Sequence, residues 1–443
     1  MESKSYTDIE QNYQKLLELE PKLITNTIPA NAKEQKALFI AGEMPVPQHV
    51  YPRLDIDDSV IDDIQELGRT IAKSPELNKK HAAVYEAFVD GYAKKTRMMQ
   101  TMHEVKIAET EELRDKARKE FMALNIELYG APDKDTYASL LMEKITSIAE
   151  KKLPEKAQIL LDELQDMLPS EYTHGKEVSR FRPSAETVKW MQGAAETLYG
   201  SMLDHVPEQE TFEPHEVREI FVEIIKDEFG GAADKWRVDI EEAKSINVKS
   251  AEKRLVIPED RGVLTRDEVR KLVVHEIGVH VLRSIAGEQT DLGPLRTGLS
   301  EYYESEEGLG KVMEQALLGE YVEAGVDHYI TAGAAYFDHK NFRDTYEMKW
   351  RIGALQKLEE GEDLTEEAVK RAKLAAYGSV MRVFRGTDEL PWFKDLAYYN
   401  GTADTWKFLE SIRGDDFRLT LLMMGKMNTS HEHLQSVLET KTA

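Results

Sequence analysis

Six consecutive residues, His275-Glu276-Ile277-Gly278-Val279-His280, combine two imidazoles with a carboxylate next to the first. Imidazole nitrogens are good ligands for zinc, and a carboxylate beside the first ligand can take a proton from water. The pattern is HExxxH, one residue longer than the common HExxH zinc motif. On an ideal helix, residues four apart are about 40° apart around the axis, so two imidazoles reach one ion. Residues five apart are about 140° apart, and a straight helix cannot share a metal between them. The motif therefore predicts a π-bulge or a local break, a distortion that favours functional sites. Gly278 lies inside the insertion, where backbone distortion costs least.

The chain has 12 His and no Cys. A metal must be held by His, Asp and Glu, and neither a disulfide framework nor a cysteine nucleophile is possible. Catalytic zinc usually has three protein ligands and a fourth position for water. The third ligand must come from outside the hexapeptide, and Glu304, Glu306, Glu307 and Glu314 compete for the role. Gly308 follows Glu307 and would let another backbone or the metal approach closely. Taken alone, the acidic run Glu301–Glu307 reads as a solvated face.

The elements that must position these groups are mostly helical. Asp57 to Ala72 and Lys79 to Ala123 carry apolar residues at helical spacing. Ala157 to Leu168 puts Leu160, Leu161, Leu164, Met167 and Leu168 on one stripe. Tyr129-Gly130-Ala131-Pro132 is a turn. Pro169 to Pro183, which includes His174, reads as a loop and marks a boundary. The chain divides there into a helical N-terminal region, 1–170, and a second domain, 171–443. Glu213 to Phe229 is a helix with Pro214 in its first turn and Gly230-Gly231 past its end. Trp236–Ile240, Ile246–Val248 and Arg254–Ile257 are β-like, and the last two flank a turn and suit a hairpin. Thr265-Arg266-Asp267-Glu268 matches a capping box and opens the helix that carries the metal motif. Most of the chain after Ser305 is helical again, with loops near Gly386–Trp392 and Arg413–Asp416. This predicts an α+β, mostly helical fold: a small sheet, then a capped motif helix, as in a zincin-like catalytic domain.

Composition bounds the partners. With 443 residues and 41% hydrophobic content, the chain can build real cores. The N-terminal residues lack the apolar stretch of a secretory signal, and no run nears the ~18 apolar residues of a spanning helix. A cytoplasmic location is expected, with no membrane partner. The net charge of −24 argues against nucleic acid and anionic surfaces, because like charges repel.

A family resemblance sharpens the site. The hexapeptide, followed by Glu306-Glu307-Gly308-Leu309-Gly310, resembles the tyrosine carboxypeptidase family, which includes microtubule-associated enzymes and bacterial relatives with a Q-E-G-L-A motif. Leu128-Tyr129-Gly130-Ala131-Pro132 is similar to its Y-G-x-P segment, and Arg382-Val383-Phe384-Arg385-Gly386 to its R-V-x-R-G. Phe393-Lys394-Asp395-Leu396-Ala397-Tyr398 is similar to its F-x-K-D-x-x-Y, and Gly425-Lys426 to a G-K pair near its end. Two departures are Glu306 for Gln and Gly310 for Ala. The resemblance implies that Glu307 is the third zinc ligand, beside His275 and His280, with Glu276 as general base. It implies hydrolysis of a C-terminal residue, Tyr or Phe, from a peptide or protein. A carboxypeptidase needs a cation for the terminal carboxylate, and Arg382, Arg385 and Lys394 fall in the family-like segments. Tyr302, Tyr303, His328 and Tyr329 are candidates for stabilising the oxyanion. Eukaryotic members act on tubulin's C-terminal tyrosine, yet the charge of −24 and the lack of a basic tail argue against microtubule binding here. The alternatives are a zinc aminopeptidase or endopeptidase, and a non-catalytic helical binding protein with a vestigial zinc site. Intact His275, Glu276 and His280 weigh against the last.

Overall fold

The computed structural model describes residues 8–18, 27–52, 59–75, 77–169, 178–243, 245–359, 361–438 and 440. The fold is α+β and mostly helical, with a small sheet. Among the described residues, no helix is long and apolar enough to cross a membrane.

Before residue 170, among the described residues, the elements are helices: Asp8–Leu17, Ala32–Ile40, Ser59–Ala72, Lys79–Ile107, Glu111–Tyr129, Lys134–Ala149 and Glu155–Asp166. Asp57 and Asp58, expected at the start of the third, lie outside the described residues. The expected helix over 79–123 is two helices. Thr110 interrupts it, because its side chain accepts from Leu113 N and starts a new N-terminus. Glu111 and Glu112 in the new first turn suit the positive end of the helix dipole. That second helix ends where the sequence turn was expected, with Gly130 at φ 72°.

The boundary between 170 and 171, with His174, lies outside the described residues. Two hydrophobic cores occupy the molecule, and each draws on both sides of it. One joins Tyr13, Phe88 and Phe121 to Tyr199, Ile277, Leu309 and Trp406. The other joins Phe39, Tyr137 and Leu161 to Ile330, Trp350, Tyr377 and Phe393.

The strands are β1 (Thr211–Phe212), β2 (Arg237–Glu241), β3 (Asn247–Lys249), β4 (Arg254–Pro258) and β5 (Leu264–Thr265). The three-stranded sheet has the order β2-β4-β3. β3 and β4 form the expected hairpin, with Val248 opposite Leu255. β2 runs parallel to β4, with Val238 opposite Leu255. A central strand is covered on both faces, which is why Leu255, Val256 and Ile257 form an unbroken fully buried run. β1 pairs antiparallel with β5, and β5 ends at the capping box of the motif helix.

The helices that follow include Tyr302–Leu318, Val326–Phe337, Glu366–Val383 and Ala397–Ser411, with a 3₁₀ turn at Phe393–Leu396. The first and last of these cross at two glycines. A Cβ on Gly308 would lie 2.1 Å from the Gly401 carbonyl oxygen, and one on Gly401 would lie 2.0 Å from that of Glu304. The close approach that Gly308 permits is therefore to another backbone.

Candidate active site

The motif helix begins at Thr265. Its hydroxyl accepts from Glu268 N at 3.3 Å, and the Glu268 carboxylate accepts from Thr265 N at 2.8 Å. The helix runs as α-helix over Arg266–Leu272, as π-helix over Val273–Val281, and as α-helix again over Leu282–Glu288. The i→i+5 bonding of the middle stretch puts residues five apart about one turn apart, so His275 and His280 share a face. Their rings are 4.9 Å apart at 77°. Gly278 serves packing here. A Cβ on it would sit 2.6 Å from the Tyr199 ring, so glycine lets that ring lie against the π-turn.

Each imidazole is braced at Nδ1. His275 Nδ1 is 2.5 Å from Glu314 Oε1, and His280 Nδ1 is 2.8 Å from Glu306 Oε1. An ionised carboxylate only accepts, so both Nδ1 atoms carry the proton and both Nε2 lone pairs stay free. Glu306 is held ionised. Burial alone would raise its pKa, but Lys426, Arg283 and His280 bring it well below the usual carboxylate range. Lys426 Nζ is 2.7 Å from Glu306 Oε1, and Arg283 Nη1 bonds Glu306 Oε2. Arg283 is fully buried, and its other nitrogens donate to the carbonyls of Leu422 and Met427 at 3.0 and 2.9 Å. Removing one member of such a buried set leaves an uncompensated charge and costs about 3–5 kcal/mol. Burial would likewise raise Glu314, yet its hydrogen bond with His275 and the nearby Lys311 bring it down to about 2.

Tyr303, Glu307, Gly310 and Glu314 are spaced i, i+4, i+7 and i+11 along Tyr302–Leu318, so they form one face. Glu307 Oε2 is 3.9 Å from His275 Nε2. Ligand atoms of His275, His280 and Glu307 all lie within 4.8 Å of one another. Two donors on one tetrahedral zinc stand about 3.4 Å apart, from bonds of about 2.1 Å. The spacing, two free Nε2 atoms and a carboxylate oxygen fit such an ion. Gly310 lies directly against the His275 ring, and a Cβ there would be 2.6 Å from His275 Cε1. Glu276 is 8% exposed and, among the described residues, its side chain makes no hydrogen bond. Burial raises its pKa, and His275 and His280, when protonated, offset this in part.

Arg382, Arg385 and Lys394 come together beside this centre. Arg382 is engaged: its guanidinium meets Asp395 through two bonds of 2.6 and 2.9 Å and lies over the Tyr398 ring. Lys394 Nζ donates to the Tyr303 hydroxyl. Burial lowers its pKa to about 8, against the pull of Asp395 and Glu307. Arg385 stacks over Trp392 at 5.6 Å and, among the described residues, pairs with no carboxylate. The charge of Glu307 acts on Lys394, Tyr303 and Tyr398, so the cations and the Glu307 face share one field. Of the other aromatic candidates, the Tyr329 hydroxyl accepts from Asp133 N at 2.7 Å. Tyr302 covers Gly298. His328 packs against the Tyr398 ring at a tilt, and burial lowers its pKa to about 4.

Sequence reasoning weighed Glu306 and Glu314 only as rival ligands, whereas both brace imidazoles. The signal was present for Glu314, which lies two turns from Glu307 on the same face. Arg283, Asp395 and Tyr398 had no roles assigned. The Gly425-Lys426 pair gains a reason: Lys426 reaches Glu306, and a Cβ on Gly425 would lie 2.9 Å from the Leu295 side chain.

Searches against curated proteins and against solved structures found no match. A family model does match, over residues 169–442, and its region spans the motif helix, the Glu307 helix and the cation segment. The chain belongs to the microtubule-associated tyrosine carboxypeptidase family.

Proposed function

We propose that this member of a carboxypeptidase family is a zinc enzyme that removes a C-terminal Tyr or Phe from peptides or proteins. His275, His280 and Glu307 hold the ion, and residues 171–443 form a zincin-like catalytic domain. The observation that carries the reading is the convergence of the three donors, with each imidazole braced at Nδ1 so that Nε2 is free. Zinc at such a site lowers the pKa of water towards ~7 and polarises a carbonyl as a Lewis acid. Glu276 is the general base. It takes a proton from the attacking water and returns it to the leaving amine as the C–N bond breaks. A carboxylate buried without hydrogen-bond partners is poorly solvated in its charged form, which favours accepting that proton. The Tyr303 hydroxyl, one turn from Glu307 and backed by Lys394, stabilises the oxyanion.

Arg385 binds the terminal carboxylate. Among the described residues neither it nor Lys394 pairs with a carboxylate, and of the two only the guanidinium has a fork that suits a bidentate pair. Lys394 adds charge, and Arg382, tied to Asp395, holds the 3₁₀ turn that carries Lys394. An aminopeptidase would need acidic groups at this position, and the cations favour a free carboxylate instead. The protein works in the cytoplasm and does not bind microtubules, because a net charge of −24 repels an acidic surface.

The test is a peptide panel ending in Tyr, Phe, Leu and amidated Tyr, followed by mass, with microtubule co-sedimentation at physiological salt. Loss of Tyr or Phe from free-carboxylate peptides is expected, with the amidated peptide intact and the protein in the supernatant. Equal cleavage of the amidated peptide would show an endopeptidase. Co-sedimentation would overturn the charge argument.

A further inference from the structure

Asp388 lies in the loop between Glu366–Val383 and the 3₁₀ turn, three residues after Arg385. Its backbone is left-handed, φ 60°, a conformation that side chains other than Gly, Asn and Asp rarely adopt. Its side chain is almost fully buried, and three residues from distant parts of the chain converge on it. His49 Nδ1 lies 2.8 Å from Oδ1, and the Tyr51 hydroxyl donates to the same oxygen at 2.7 Å. Lys106 Nζ donates to Oδ2 at 2.6 Å. Tyr377 closes the group through its hydroxyl, 2.9 Å from His49 Nε2. The loop also closes on itself, through Asp388 N to Phe384 O at 2.8 Å and Trp392 N to Val383 O at 2.7 Å. Beneath it, helix Lys79–Ile107 fits so tightly that a Cβ on Gly386 would lie 1.8 Å from Met102 Sδ.

The partners His49, Tyr51, Lys106 and Met102 all precede residue 169, where the family match begins. The loop they hold carries Arg385 and the Trp392 ring on which it stacks. The loop has no regular secondary structure to fix it, so its shape depends on these bonds, on those of Thr387 to Glu389 and Leu390, and on Arg118 and Asn125, which hold Glu389 and Pro391.

We propose that Asp388 is a positioning residue for substrate binding: clamped by His49, Tyr51 and Lys106 of the N-terminal region, it fixes the loop that aims Arg385 at the substrate's terminal carboxylate. The inference rests on the carboxypeptidase reading above. It makes the N-terminal region part of the substrate site and gives Asp388 no contact with the reacting atoms.

The test is a double-mutant cycle in the full-length zinc-loaded protein, using Asp388→Asn, Arg385→Ala and both together. Asn keeps the shape and tolerates the left-handed backbone while removing the charge. Asp388→Asn should raise KM for a Tyr-terminated peptide about tenfold, with kcat within about twofold and zinc affinity unchanged. In the Arg385→Ala background the same change should add less than about twofold, since residues acting through one another are not additive. Additive effects, an unchanged KM, or a parallel loss of zinc affinity would each overturn the proposal. If Asp388→Asn fails to fold, Tyr51→Phe and Lys106→Met each remove one donor and take its place in the cycle. To separate this from the parent reading, peptide affinity is measured by calorimetry in a Glu276→Gln background. Failure of the wild type to release any C-terminal residue sinks the carboxypeptidase reading. Equal weakening of free and amidated peptides by Asp388→Asn sinks the positioning role alone.

Discussion

Around His275 and His280 the bracing carboxylates come from a single helix, Tyr302–Leu318, and lie two turns apart on it. Around Arg385 the bracing groups come from residues 49–51, helix Lys79–Ile107 and Tyr377, and they converge on a loop residue with a left-handed backbone. The first region is helix against helix, with ring against glycine at Gly310 and Gly278. The second is a loop that closes on itself and is also held from outside. A metal needs donors fixed to tenths of an ångström, which regular elements supply well. A site that must admit and release a peptide end can be carried by a loop, provided something fixes its resting shape. The two regions should therefore fail differently: damage to the first should appear in turnover and metal affinity, damage to the second in KM.

The largest effect should come from the group with the fewest partners. Glu276→Gln keeps the shape and removes the proposed base. Turnover should fall about 10²–10⁴-fold, the usual range for a general base, while zinc content by mass spectrometry stays at one per chain. Peptidase activity at the wild-type level would remove Glu276 from the mechanism. A change in KM as large as the change in kcat would blur the division between the two regions.

Next in size is a brace of the metal region. Glu314→Gln leaves His275 Nδ1 a weaker acceptor and removes the charge that holds the imidazole. Changes to partners behind metal ligands typically cost about 10–100-fold in metal affinity. The expectation is a loss of that order in a chelator competition, with turnover nearly restored at saturating zinc. An unchanged affinity would mean that the 2.5 Å contact does not set the ring.

The same contrast explains what the sequence could reveal. The hexapeptide is local, and its five-residue spacing demanded the distortion that appears as Val273–Val281. The capping box, the β3–β4 hairpin and the Gly130 helix end are likewise signals within a few residues. Among the acidic residues near Glu307, chemistry alone left four candidates, since each could be a ligand, a brace or a solvated charge. The parallel β2–β4 pairing and the two-residue β1–β5 ladder carry no comparable local mark. Nor does the clamp on Asp388: its partners lie up to 339 residues away, and His49 and Tyr51 have no pattern around them that points to it.

The smallest effect should come from Gly310→Ala, which installs the residue usual in the family. Two terms oppose each other. Ala favours a helix interior over Gly by roughly 1 kcal/mol, and position 310 lies inside Tyr302–Leu318. Against this, the new methyl would start 2.6 Å from His275 Cε1, where something must move. Overpacking of a tight core costs about 1–3 kcal/mol, but an imidazole at the end of a side chain yields more cheaply than backbone. Global stability should thus change little, with Tm within a few degrees of the wild type. The displaced ring is a proposed metal ligand, so zinc affinity should fall by about threefold to tenfold, below the loss from a broken brace. The ring is pinned by Glu314 at Nδ1, so relaxation must stretch that bond or tilt the helix. Double substitution with Glu314→Gln separates the two routes. If the ring relaxes through its brace, releasing the brace should erase the penalty of the methyl, and the two losses will not add. Additive losses would mean that the helix moves instead. Unchanged zinc affinity in Gly310→Ala itself would show that the metal region has slack, and the contrast with the cation loop would then rest on KM alone.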